Sequence, residues 1–262
     1  LVAAVADMRI FDEIDATYVG GLEEYIEKAT LIIADGNLST DAFRVLGELC
    51  LRHRKPFYFE PTSDHKCLLP LLVNPSSLSA SLWSNGIQLV DFLKPNLSEL
   101  MVMVKYILDS SDRNSMLPME RNYSDVHKIL SKNCDENILG INDIKKLAIV
   151  LHTALCSTVD ACAPLKAENK KTIVSLGERG CLLVTADIEG STKNLRTTHF
   201  PIPEDPSGNI VVNTSGAGDC LFAGVVHQII SHENDFHKVV EYGLQVSRQS
   251  LMSPSAVPDT FY

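Results

Sequence analysis

The segment Asn213-Thr214-Ser215-Gly216-Ala217-Gly218-Asp219 runs directly into an apolar stretch, Leu221 to Ile230. The stretch reads as a buried helix, which makes Gly216, Ala217 and Gly218 the turn that opens it. Backbone N–H groups at a helix start have no intrahelical acceptor, and the helix dipole adds to their pull on an anion. An acid beside such a site repels the ligand unless it has a task. Taking the proton from a hydroxyl that attacks a phosphoryl group is one such task, and Asp219 is placed for it. The same residues also read as a glycine turn with an acid in the first helical turn, where negative charge is favoured anyway. Short glycine motifs match often by chance.

The elements that must hold this turn follow from the alternation upstream. Leu31 to Ala34 and Pro56 to Glu60 are short apolar runs of the kind that form buried parallel strands, and Gln88 to Leu93 reads as a third. Thr172 to Leu176 is a fourth, with Cys181 to Val184 beyond a turn at Gly177 to Gly180, and Val2 to Ala6 reads as a strand at the start. Helices are expected over Leu22 to Ala29, from a cap at Ser39 or Thr40 to about His53, over Leu97 to Leu108 and over Ile144 to Cys162. Two more follow the glycine turn, about Ala217 to His232 and Phe236 to Met252. The polar stretch from Asp109 to about Ile141 reads as a surface insertion with one helix near Tyr123 to Leu130. Strand and helix alternating at this spacing predict an α/β fold with three α-β-α layers and a mainly parallel central sheet.

In such sheets ligands bind beyond the carboxyl ends of the strands. Polar residues recur there: Asp35 and Asn37 after one strand, Glu60, Thr62 and Ser63 after another, Lys94, Asn96 and Glu99 after a third, Ser175 and Gly177 after a fourth. Each is also an ordinary loop residue. Asn96 and Glu99 lie about one helical turn apart on one face, a spacing that equally suits a capping box.

Composition narrows the partners. The chain has 262 residues, 45% hydrophobic and 21% charged, enough for one large α/β core. Its formal net charge of -10 argues against nucleic acid or an anionic membrane. A phosphate ligand stays open, because backbone N–H groups and Mg²⁺ can carry it. No stretch is long and apolar enough to span a membrane. Seven scattered cysteines without Cys-x-x-Cys suggest a reducing, cytoplasmic compartment, with a mitochondrial one left open.

Asn213 to Asp219 resembles the C-terminal signature of the ribokinase (PfkB) family of sugar and nucleoside kinases, usually Asp-Thr-x-Gly-Ala-Gly-Asp. Asn213 departs from its commonest first residue, and the acid at Asp219 is retained. Lys94-Pro95-Asn96-Leu97-Ser98-Glu99 resembles the family's Asn-x-x-Glu motif, which implies Mg²⁺ near Glu99 and Asn96; hard oxygen ligands acting mostly through water suit that ion. Ser175-Leu176-Gly177-Glu178-Arg179-Gly180 resembles the turn that carries the nucleotide phosphates. Within the family, Ala4 to Met8, Ala34 to Ser39, Glu60 to Ser63 with Lys66, and Gly243 to Ser247 are similar to pseudouridine kinases.

The resemblance implies a single ribokinase-like kinase domain over residues 1–262, lacking its N-terminal portion with the family's Gly-Gly sugar motif. It implies ATP and Mg²⁺ as cofactors, and transfer of the γ-phosphoryl group to the ribose 5′-hydroxyl of pseudouridine. Asp219 would be the base, with the N–H groups of Gly216, Ala217 and Gly218 holding the migrating charge. ATP would meet Ser175, Gly177, Gly180, Thr214, Asn96, Lys66 and Gln245. The nucleoside would meet Asp35, Asn37, Thr62 and Asp219. A pseudouridine glycosidase partner or fusion and a homodimer are both left open. The rivals are another sugar or nucleoside kinase of the family and an inactive nucleotide-binding domain.

Overall fold

A computed structural model describes residues 7–75, 85–110, 116–117, 123–131, 139–157, 169–189, 192–202 and 211–257, without the side chains of 187–189 and 192–193. The expected first strand and most of the 109–141 insertion lie outside the described residues. The chain divides into two compact units. One comprises Leu1–Val174 and Val184–Thr197, the other Ser175–Leu183 and Thr198–Tyr262.

Six strands form one sheet in the order β1 (Ile32–Asp35), β2 (Phe57–Glu60), β3 (Phe92–Leu93), β4 (Lys171–Ser175), β5 (Cys181–Glu189) and β6 (Thr192–Phe200). β1 to β4 are parallel neighbours, with Asp35 opposite Glu60, Phe59 opposite Leu93 and Leu93 opposite Thr172. The connections from β4 to β5 and from β5 to β6 are too short for crossovers, so these strands reverse direction. The expected mainly parallel sheet is therefore present.

In the first unit β2 and β3 are buried on both faces, whereas β1 leaves Ile33 exposed. Phe57 and Phe59 point to one side and meet Phe43 at 5.2 and 5.4 Å between ring centroids. Phe43 lies on α3 (Thr40–Arg52), which follows α1 (Ala16–Gly20) and α2 (Glu23–Lys28) and is capped by Ser39 Oγ accepting from Ala42 N. Tyr58 points the other way and packs on Phe92 at 5.1 Å. After the short α4 (Leu69–Leu72) come α5 (Leu97–Asp109), α6 (Ser124–Ser131) and α7 (Ile141–Leu155), and α5 packs on α7. Burying one Phe or Leu contributes about 1.5–3 kcal/mol, so this two-sided packing dominates the unit's stability.

Three expectations are corrected. Gln88 to Leu93 is not one strand: a 3₁₀ turn spans Gly86–Leu89, and only Phe92–Leu93 pairs. Asn85 Oδ1 caps Ile87 N, and the buried Lys170 ammonium takes the carbonyls of Gln88 at 2.6 Å and Val90 at 2.8 Å, acceptors that a strand would have used. The helix expected to reach Cys162 starts at Ile141 and ends at Leu155, where Cys156 caps it. Cys181 to Val184 is only the start of a nine-residue strand, and β6 was not foreseen at all.

In the second unit α8 (Ala217–Ile230) and α9 (Phe236–Leu251) pack closely. A Cβ on Gly224 would stand 2.9 Å from Gly243 Cα, so the two backbones touch where both side chains are absent. The cysteines among the described residues, Cys50, Cys67, Cys156, Cys181 and Cys220, are buried and unbridged. No helix among the described residues is long and apolar enough to cross a membrane.

Candidate active site

The carboxyl ends of β1, β2 and β3 carry a rim of polar side chains bound to one another. Past β1, Asp35 Oδ2 accepts from Asn37 Nδ2 at 2.6 Å and Oδ1 accepts from Asn37 N at 2.9 Å. Lys66 Nζ donates to Asn37 Oδ1, and its ammonium also lies 5.6 Å from the centre of the Phe11 ring. Thr62 adopts φ 74°, a left-handed conformation that aims its hydroxyl at the neighbouring loop. Thr62 Oγ1 accepts from Gly36 N at 3.0 Å and donates to Glu60 O at 3.2 Å. Asp35, Asn37 and Lys66 thus form one hydrogen-bonded chain, and Thr62 ties its own loop to the Gly36 backbone beside them.

At the end of β3, Lys94 Nζ lies 3.1 Å from Glu60 Oε1, the lysine buried and the glutamate largely so. Removing one partner from a buried ion pair costs about 3–5 kcal/mol, because the other charge is stranded. Asn96 then opens α5 with a complete capping box: Asn96 Oδ1 accepts from Glu99 N, and Glu99 Oε2 accepts from Asn96 N, both at 2.8 Å. Such a cap contributes about 0.5–2 kcal/mol. Glu99 is only 3% exposed, and burial pushes its carboxyl above the usual range against the opposing pull of the Asn96 N–H and the Lys94 charge. Its Oε1 accepts no hydrogen bond among the described residues.

That free oxygen on a buried carboxylate is the feature that fits a divalent cation. No group of three or more His, Cys, Asp or Glu among the described residues could cage a metal. One carboxylate plus water and phosphate oxygens is the usual Mg²⁺ arrangement, so Glu99 suits that ion. Asn96 spends its Oδ1 on the cap. Below the pair, Cys67 Sγ donates to Asp64 O at 3.1 Å, and burial pushes its thiol up to about 12, so it is not a nucleophile. Ser98 Oγ donates to Asp64 Oδ2 at 2.8 Å, fixing the loop that carries Lys66.

The second unit holds the glycine turn. Gly216 is the N-cap of α8 at φ 80°, with no side-chain cap. A Cβ there would strike the Ala256 carbonyl, so the turn needs glycine for both its dihedral and its clearance. Asn213 Oδ1 accepts from Ser215 N at 3.0 Å and shapes the approach. The N–H groups of Gly218 and Asp219 have no acceptor among the described residues, and the Asp219 side chain is exposed in the first turn. Thr214 is exposed beside it, with its carbonyl 3.5 Å from Ala217 N.

Gln245 is exposed on α9, and Ser247 Oγ donates to Ala217 O at 2.8 Å, tying the second helix to the turn. The other expected turn has Ser175 half-buried at the end of β4 and Gly177 and Gly180 at φ 59° and 83°. It is closed by Leu176 N donating to Gly180 O at 2.8 Å. Sequence reasoning passed over the Lys94–Glu60 pair and the Ala256 strap. Glu60 and Lys94 each end a strand at the same edge, which was the available signal; nothing local marks Ala256.

The pfkB family carbohydrate kinase profile matches residues 107–260, a stretch that includes the glycine turn and excludes Asn96 and Glu99. No curated protein matches the chain. Among solved structures, a carbohydrate kinase from Agrobacterium tumefaciens is similar at TM-score 0.57 and 16% identity, covering 98% of this chain and 60% of that one. Arabidopsis thaliana ribokinase complexed with ribose and ATP is similar at TM-score 0.52 and 13% identity, covering 90% and 55%. Adenosine kinase from Schistosoma mansoni in complex with 2-fluoroadenosine is similar at 0.57 and 13%, covering 92% and 55%. These likenesses show the ribokinase-like fold. This chain spans well under two thirds of each of those proteins.

Proposed function

The chain belongs to the pfkB family of carbohydrate kinases, and from that premise we propose that the whole protein transfers the γ-phosphoryl group of ATP to the 5′-hydroxyl of a ribonucleoside, most closely pseudouridine. The observation that carries the reading is Asp219: an exposed acid in the first turn of a helix whose glycine N-cap leaves backbone N–H groups without acceptors. A binding module has no use for a base there.

In the proposed reaction Asp219 accepts the hydroxyl proton, the hydroxyl oxygen bonds to the γ-phosphorus, and the β–γ bridging bond breaks to release ADP. The N–H groups of Gly216, Ala217 and Gly218 stabilise the charge on the transferred group. Ser175, Gly177, Gly180, Thr214 and Lys66 are assigned to the phosphates of ATP and Gln245 to its base. Asp35, Asn37 and Thr62 are assigned to the nucleoside; the Asp35–Asn37 hydrogen bonds and the backbone contacts of Thr62 supply fixed donors and acceptors suited to a polyhydroxylated ligand. Mg²⁺, when bound, neutralises phosphate charge, and Glu99 with Asn96 would hold it, mostly through water.

The test uses the full-length protein. ATP binding is measured by calorimetry, and phosphorylation is assayed against pseudouridine, adenosine and ribose. Asp219→Asn should lower turnover by about 10²–10⁴-fold, the usual worth of a general base, while ATP affinity holds. Absence of ATP binding in every form would sink the kinase reading, and preference for ribose or adenosine would move the substrate within the family.

A further inference from the structure

We propose that Lys94, clamped by Glu60, is a positioning residue for the Glu99 carboxylate, so that the ion pair and the Asn96–Glu99 capping box act as one cation-facing unit. The inference rests on the kinase reading above. β2 and β3 run parallel with Phe59 opposite Leu93, so Glu60 and Lys94 leave the sheet side by side. Lys94 N donates to Phe59 O at 3.4 Å, and its Nζ meets Glu60 Oε1 at 3.1 Å with side-chain exposures of 4% and 17%. The backbone and the tip of Lys94 are therefore both held by β2.

Only Pro95 separates Lys94 from Asn96, and the proline ring fixes its own φ, leaving little slack between the clamp and the cap. Asn96 in turn fixes Glu99 through two reciprocal hydrogen bonds, which leave Glu99 Oε1 for a ligand. Glu60 extends the unit the other way, since its carbonyl accepts from Thr62 Oγ1, which accepts from Gly36 N beside Asp35.

Stability alone does not account for the pair. Replacing a buried ion pair by apolar groups of similar volume is often neutral or stabilising. Charge at this point is better explained by a demand for fixed geometry. Groups that orient a metal ligand typically change affinity by about 10–100-fold when removed.

The test follows Mn²⁺ binding to the full-length protein in the presence of ATP, by electron paramagnetic resonance of the free ion, beside thermal unfolding. The variants are K94M, the double variant E60Q/K94M, and E99Q. The double variant removes both charges at nearly constant volume. It should melt cooperatively near the wild type yet bind Mn²⁺ about 10–100-fold more weakly. In turnover assays its apparent KM for Mg²⁺ should rise with kcat little changed. Wild-type Mn²⁺ affinity in the double variant, with affinity lost in E99Q, overturns the role of the pair and leaves the kinase reading standing. Loss of binding together with loss of the cooperative melt marks a purely structural pair and also overturns it. Unchanged binding in every variant, E99Q included, removes the cation assignment itself.

Discussion

The polar rim of the first unit and the glycine turn of the second prepare for a ligand in opposite ways. In the rim, side chains fix side chains: Lys66, Asn37 and Asp35 form a chain, Thr62 bridges two loops, and Asn96 and Glu99 hold each other. In the turn the backbone does the work. Gly216 sits at φ 80° under the Ala256 carbonyl, and N–H groups point outward with no side chain to satisfy them. A rim of this kind is retuned by exchanging residues. A turn of this kind admits almost none, because its ligand-facing atoms belong to every residue type alike and only its shape is specific.

Substitutions that add one methyl group test the second half of that contrast most severely. Gly216→Ala combines a left-handed dihedral, about 1–2 kcal/mol for a side chain, with a collision against backbone that has no rotamer to yield. It should lower the melting temperature by several degrees and abolish ATP binding, read by calorimetry. Gly177→Ala has a similar dihedral, φ 59°, but nothing within 4 Å of the added atom. It should cost only the dihedral strain. Equal effects at the two positions would break the claim that clearance governs the turn.

A smaller effect is expected in the rim. Lys66→Met removes both the donor to Asn37 and the charge over the Phe11 ring. The KM for ATP should rise about tenfold, the scale of one hydrogen bond to a charged group, with the melting temperature nearly unchanged. A large loss of stability would mean that the rim is scaffolding.

The smallest effect lies at the opposite end of the same sheet. Asp91 Oδ2 accepts from Phe57 N at 2.9 Å, and burial raises its carboxyl above the usual range, opposed by Lys170. A raised native value means the folded chain keeps this proton to higher pH than the unfolded chain. The associated stability is full below the ordinary aspartate value and is lost as pH rises through the raised one. Asp91→Asn cannot titrate, so its melting temperature relative to the wild type should climb as pH increases above about 4. A flat difference would show that Asp91 stays ionised throughout.

The alternating elements and the glycine turn were legible in the sequence because each is a local pattern. Apolar runs ending in polar residues marked β1, β2 and β4, and Asn96 with Glu99 announced their own cap. The strand expected over Gln88 to Leu93 failed because Lys170, distant in sequence, takes its carbonyls. β6 escaped notice because Thr192 to Phe200 is mostly polar and is a strand only through its neighbour. The Lys94–Glu60 pair was invisible for the same reason. Each residue looked like an ordinary strand end until the parallel register placed them together.

The capping box has a consequence for descent. Asn96 and Glu99 keep a long buried helix started whether or not any cation is ever bound, so selection for folding alone would preserve both residues after the chemistry had lapsed. The acid at Asp219 has only the slighter second employment of a negative charge in a helix's first turn, and Gly216 supports the turn with or without it. In a lineage drifting away from catalysis, Asp219 should therefore be the first to change and the Asn-x-x-Glu signature among the last.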